Sequence, residues 1–98
     1  MFRTKNLIHP GEILFQEFLI PMNISKNKLA VDIHVPVTRI NAIIKGTYRI
    51  TADTALRLGK YFGTGPKFWC NLQKNYDFCE VSAKIETELT LISQIKLS

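Results

Sequence analysis

Between Ser25 and Gly46 the apolar positions fall into two short helical stripes, Leu29, Ala30 and Ile33 in the first and Ile40, Ile43 and Ile44 in the second. Each stripe needs a partner to be buried, and two helices can bury both only by crossing. Ala30 is small where a crossing helix comes closest. The spacing from Ala30 through Val35 to Ile40 is that of a helix-turn-helix, whose second helix enters the DNA major groove. A helical hairpin with no role on DNA would show the same stripes, so the outer surface has to decide. With the buried positions removed, the second helix presents Val37, Thr38, Arg39, Asn41 and Lys45 and no acidic residue.

The rest of the chain reads as support for this pair. Pro10 suits the first turn of a helix, where its missing N–H would have no partner, and Glu12 lies where the helix dipole favours an anion. A first helix is therefore predicted from Pro10 to Leu19, burying Ile13, Leu14 and Phe18, with Pro21 stopping it. Ser25 is a natural N-cap for the second helix, although Lys28 stands where Glu or Gln would complete a capping box. Pro36 opens the third helix and Gly46 closes it. Thr51 caps a fourth, which runs to about Phe62 with Ala55, Leu56, Gly59 and Phe62 on one face and Gly63 at its end. Gly59 costs about 1 kcal/mol relative to alanine inside a helix, which points to close backbone packing there. Gly65-Pro66 begins a fifth helix through Phe68, Trp69, Leu72 and Tyr76. Past Glu80, Val81, Ile85, Leu89 and Ile92 form a further stripe, weakened by Thr87 and Thr90. The predicted fold is all-α: a five-helix domain with a helix-turn-helix over residues 1–80, with an additional C-terminal helix in a tail over 81–98. That tail either dimerises the protein or folds back over its own core.

Charge sharpens the picture. The 98 residues make one small domain, and the net charge is +5. Between Met22 and Lys67 there are eight basic residues (Lys26, Lys28, Arg39, Lys45, Arg49, Arg57, Lys60 and Lys67) against Asp32 and Asp53. Such a basic middle suits a polyanion. Six of the ten aromatic residues lie between Tyr61 and Phe78, more than one side of a small domain buries easily, so either an aromatic core or a partner surface is expected there. Cys70 and Cys79 are nine apart, on opposite faces of one helix, and have no zinc-ligand spacing; both are expected as buried thiols in a reducing cytosol. There is neither a leader pattern nor an apolar run near the ~20 residues that span a bilayer, so a cytoplasmic protein without a membrane partner is expected.

Several stretches resemble one family. They are His9-Pro-Gly-Glu-Ile-Leu14, Glu17-Phe-Leu19, Pro21, Leu29-Ala30, Arg39-Ile-Asn41 and Lys45-Gly46. To these add Phe62-Gly-Thr64, Phe68-Trp69, Asn71-Leu-Gln73 and, above all, Ile50-Thr-Ala-Asp-Thr-Ala-Leu-Arg-Leu58. Together they are similar to HigA-type antitoxins, phage-repressor-like helix-turn-helix proteins of which some carry the name virulence-associated protein I. The resemblance covers about Leu7 to Asp77. It implies an all-helical fold, a homodimer, binding to an operator ahead of its own operon, and neutralisation of a HigB-type mRNA-cleaving ribonuclease toxin. The chain departs from the family in three places. His34 stands where the turn usually has glycine, Pro36 replaces the serine or threonine that often caps the reading helix, and residues beyond Asp77 match nothing in the family. It also lacks the acidic segment with which many antitoxins hold a basic toxin.

From these readings the expected base-reading residues are Val37, Thr38, Arg39 and Asn41, since Arg can fork to guanine and Asn can pair with adenine. Lys26, Lys28, Lys45 and Arg49 are expected on phosphates. The dimer contact is expected at Phe68, Trp69, Leu72 and Tyr76 and on the tail at Val81, Ile85, Leu89 and Ile92. His9 and Glu12 share a helix face but have no third ligand or nucleophile, so no enzyme, metal or cofactor is implied. Besides a DNA-binding antitoxin and autorepressor, two other readings stay open: a stand-alone repressor of the same fold, and a protein-interaction module with vestigial DNA binding.

Overall fold

The structure, a computed structural model, describes residues 7–96. α1 covers residues 10–22 in three parts: an α-helical start Pro10–Ile13, a π-helical stretch Leu14–Leu19 and a last turn Ile20–Met22. It is followed by α2 (Lys26–Ile33), α3 (Val37–Lys45), α4 (Ala52–Phe62), α5 (Pro66–Lys84) and α6 (Glu86–Thr90), and the described residues contain no strand.

Local chemistry sets most of the helix ends. Ser25 Oγ accepts the N–H of Lys28 at 3.0 Å and Thr51 Oγ1 that of Thr54 at 3.3 Å, while α3 and α4 stop at left-handed Gly46 and Gly63. Pro21 behaves differently from expectation. In an α-helix its ring would collide with the carbonyl four residues back, but α1 has already widened into i→i+5 pairing, with the N–H of Ile20 on the carbonyl of Phe15. Proline is therefore accommodated in the last turn. The helix ends at Asn23, whose φ is 57°.

The core collects Leu14 and Leu19 of α1, Leu29, Ala30 and Ile33 of α2, Ile40 and Ile43 of α3, Ile50, Ala55 and Leu58 from the α4 region, and Trp69 of α5. The buried face of α4 is Thr54, Ala55, Leu58 and Gly59, not the expected row through Leu56, which is 60% exposed. Steps of three and four from Ala55 lead to Leu58, Gly59 and Phe62, and Leu56 lies about 100° round the helix. Two glycines let helices touch. A Cβ on Gly11 would sit 1.8 Å from the carbonyl oxygen of Ile43, and one on Gly59 would sit 2.4 Å from the carbonyl carbon of Gly65.

Two expectations on α5 are corrected. Trp69 is fully buried in its own chain, with ring centroids 4.9 Å from Phe18 and 5.9 Å from Phe62, and its Nε1 donates to Thr64 Oγ1 at 2.9 Å. It therefore cannot contribute to a contact between subunits. Cys70, the next residue round the helix, is exposed rather than buried.

The last stretch also differs from the single expected helix. α5 runs past Glu80 to Lys84, so the boundary expected at 80/81 falls inside a helix, and the break comes at Ile85 (φ −111°, ψ 19°). Val81 thus belongs to α5, Leu89 to α6, and Ile92 to neither. The tail does not fold back: Leu91, Ile92 and Ile95 are 70–79% exposed. The Cα radius of gyration is 16.6 Å, against about 13 Å for a compact domain of this size, because the tail projects from the body.

Candidate nucleic-acid interface

α2 and α3 cross through Leu29, Ala30 and Ile33 on one side and Ile40 and Ile43 on the other, all buried. The turn between them is set by backbone angles. His34 takes the left-handed conformation (φ 63°), Val35 points inward and donates its N–H to the carbonyl of Ala30 at 3.0 Å, and Pro36 is the extended N-cap. Pro36 makes no side-chain cap, so the free N–H groups of the first turn of α3 are left to face whatever lies in front of it.

On α3, Thr38 and Lys45 are exposed and Arg39 and Asn41 half-buried. Val37 is partly buried and packs against the core, which makes it the wall of the reading surface more than a probe. The expected phosphate residues fall into two kinds. Lys26 lies over the ring of Phe15 at 5.5 Å, Lys45 is exposed, and neither is in an ion pair among the described residues. Lys28 is engaged with Asp32 at 2.9 Å and Arg49 with Asp77 at 2.7 Å, so each must leave a carboxylate to meet a phosphate.

Behind this surface lies a polar framework that periodicity did not reveal. Arg57 of α4 sends Nη1 to the carbonyls of Ile33 at 2.8 Å and His34 at 3.3 Å, pinning the turn, and its Nε binds Asp53. Tyr61 donates to Asp32 at 2.6 Å and so ties α4 to α2. Gln73 of α5, 3% exposed, accepts the N–H of Ile50 at 2.7 Å and donates to Asp77 at 2.9 Å. Two signals were available for these residues: the i,i+4 spacing of Asp53 and Arg57, and a glutamine in the inward row Trp69, Leu72, Gln73, Tyr76.

Electrostatics follow the pairing. The bond from Arg57, helped by the charges of Arg57 and Arg39, holds the Asp53 carboxyl below its usual range. Asp77 is pushed up by burial, but the bonds from Arg49 and Gln73 outweigh this and leave it lowered. His9 caps α1 through Nδ1, which accepts the N–H of Gly11 at 2.9 Å, and its ring meets Tyr76 edge-on at 4.9 Å. Burial lowers its pKa against the opposing pull of Asp77 and Glu80.

The expected dimer residues separate by face. Phe68, Leu72 and Tyr76 lean on the chain's own core and α1, with Phe68 5.8 Å from Phe18. The apolar row left outward is Phe78 and Val81, 69% and 48% exposed, which line a groove of about 640 Å³ with Ile50, Ala52 and Cys70. Among the described residues no three His, Cys, Asp or Glu are grouped to hold a metal ion, and no helix is long and apolar enough to cross a membrane.

Residues 15–69 match the helix-turn-helix family. Virulence-associated protein I of Dichelobacter nodosus is 53% identical over 70 residues, which is 71% of this chain and just under two thirds, 65%, of that protein. Antitoxin HigA-1 of Vibrio cholerae is 31% identical over the full chain and 93% of its own length. The structure of the Pseudomonas aeruginosa antitoxin HigA with the higBA promoter superposes with a TM-score of 0.87 at 38% identity, covering 94% of this chain and 100% of that one.

Proposed function

The chain belongs to the helix-turn-helix family, among the HigA-type antitoxins, and from that premise we propose that it is the operator-binding antitoxin of a toxin–antitoxin pair. It is a regulator and not an enzyme. The observation that carries the reading is the crossed α2–α3 pair, whose outer helix presents Thr38, Arg39, Asn41 and Lys45 with no carboxylate of its own, while Lys26 at the start of α2 is exposed. Thr38, Arg39 and Asn41 read base edges; Lys26 and Lys45, joined by Lys28 and Arg49 on release from Asp32 and Asp77, hold the backbone. By repressing its own operon and neutralising a HigB-type mRNA-cleaving toxin encoded beside it, the protein works in the cytoplasm.

One reading helix covers too few base pairs to single out an operator, so the working form is a homodimer on an inverted repeat, with the two α3 helices about 34 Å apart. The outward apolar row of α5 and the projecting tail support a two-fold contact there. The test is binding of the full chain to the DNA upstream of its own reading frame, with the mass of the complex measured. Two chains per operator, with weaker binding to random DNA, are expected. Equal affinity for both DNAs, or one chain per site, overturns the proposal. Co-purification of the adjacent gene's product with the chain tests the toxin; failure of that product to bind leaves a stand-alone repressor.

A further inference from the structure

One residue of the reading helix, Arg39, faces a carboxylate contributed from another helix. Asp53, in the first turn of α4, directs Oδ1 to Nε of Arg57 and has Oδ2 4.0 Å from Nη1 of Arg39, so its two oxygens face different guanidiniums. Arg57 cannot swing freely, because Nη1 is held by the carbonyls of Ile33 and His34. A clamped arginine therefore fixes the carboxylate, and the carboxylate meets an arginine of the reading helix. Arg39 has 30% of its side chain exposed, while Asp53 has 55% of its own exposed at the same edge.

A long arginine on a basic surface has two outlets on DNA. It can reach any phosphate, which carries no sequence information, or it can fork to the O6 and N7 of guanine, which requires one orientation of the guanidinium plane. A carboxylate behind it restrains the first and favours the second. The same carboxylate also repels a phosphate that comes close without a guanine to hold Arg39. We propose that Asp53 is a specificity-determining positioning residue, which keeps Arg39 presented for guanine and raises the cost of non-specific binding, with Arg57 as its anchor. This rests on the reading of Arg39 as a base contact.

The experiment starts with sites selected from random DNA by the full-length chain. Binding to the preferred site, to that site with single guanines replaced, and to random DNA is then measured for the wild type, Asp53→Asn, Asp53→Glu, Arg39→Ala and the Asp53→Asn/Arg39→Ala double variant. Asparagine can still accept from Arg57, and melting temperatures show whether the turn is kept. Arg39→Ala is expected to remove discrimination at one guanine. Asp53→Asn is expected to lower discrimination at that same guanine about tenfold, the order of one bidentate base contact, with random DNA bound as well as before or more tightly. Asp53→Glu should restore part of the discrimination, and the double variant should be no worse than Arg39→Ala. If Arg39→Ala leaves every guanine preference intact, the reading of Arg39 fails and the proposal with it. If Arg39→Ala acts as expected while Asp53→Asn keeps full discrimination, or weakens all DNAs equally, the proposal alone is overturned.

Discussion

Gln73 of α5 accepts the backbone N–H of Ile50 at 2.7 Å, 23 residues away in sequence, inside the core. Ile50 lies in the connector between α3 and α4, so this bond fixes where the chain leaves the reading helix. Gln73→Leu fits the apolar row but leaves that N–H without a partner, at a cost of about 1–3 kcal/mol. Denaturant unfolding of the two proteins measures this. A Gln73→Leu variant as stable as the wild type would show that the connector finds another acceptor.

Gly59→Ala is expected to destabilise, although alanine is the better helix former. Its Cβ would press on the backbone of Gly65 and Pro66 at 2.4–2.5 Å, and backbone cannot turn aside as a flexible side chain can. Separating α4 from the start of α5 costs about 1–3 kcal/mol, more than the ~1 kcal/mol gained in propensity. A raised melting temperature would contradict the close approach.

Binding measured across salt separates the two kinds of basic residue. Lys45→Ala and Lys26→Ala should weaken binding to every sequence and lower the log–log salt slope by about 0.9 each. Asp77→Asn releases Arg49 and should steepen the slope, since one more cation becomes available to phosphate. An unchanged slope in the Lys45→Ala protein would mean that this charge faces only solvent.

The cap of α1 carries a pH dependence. His9 Nδ1 must be unprotonated to accept from Gly11, and burial, opposed by Asp77 and Glu80, holds the folded pKa below the unfolded value. The cap's contribution is therefore complete above about pH 6.5 and declines as the pH falls from there toward the folded pKa. His9→Asn supplies a cap that does not titrate. The melting temperature of the wild type should drop more than that of the variant between about pH 7.5 and pH 5.5; parallel curves would remove His9 as the cause.

The parts of the fold legible in the sequence are those written locally. Ser25, Thr51, Gly46 and Gly63 mark helix ends, and the Leu29–Ile33 and Ile40–Ile44 stripes mark the crossing pair. Misreadings arise where two local rules compete. Leu56 and Leu58 are both apolar, and it is Leu58 that lies three residues on from Ala55 and one before Gly59, on the face that packs inward. Pro21 obeys the helix-stop rule until the π-helical turn relieves its clash. The links of the framework that join different helices span 23–29 residues, as in Arg57 with Ile33 and Tyr61 with Asp32, and a periodicity of three or four residues shows only its local members, such as Asp53 with Arg57. For the same reason Arg39, Asn41 and Lys45 could be placed on the outer helix, while the tie of Arg49 to Asp77, 28 residues on, could not; the i,i+4 spacing of Lys28 and Asp32 was a signal that could have been read.

The break at Ile85 divides the chain into two cooperative units. Residues between Leu14 and Leu72 pack on one core, and the amide protons of its buried helices exchange with solvent chiefly through large-scale opening. Among the described residues beyond Ile85, Leu89, Leu91, Ile92 and Ile95 are 47–79% exposed, and the hydrogen bonds of that segment open at little cost in the isolated chain. Slow exchange at Leu89 in the assembled protein would therefore measure the strength of the association and not the stability of the fold. A single chain can be fully folded through Lys84 while its last stretch still depends on what covers it.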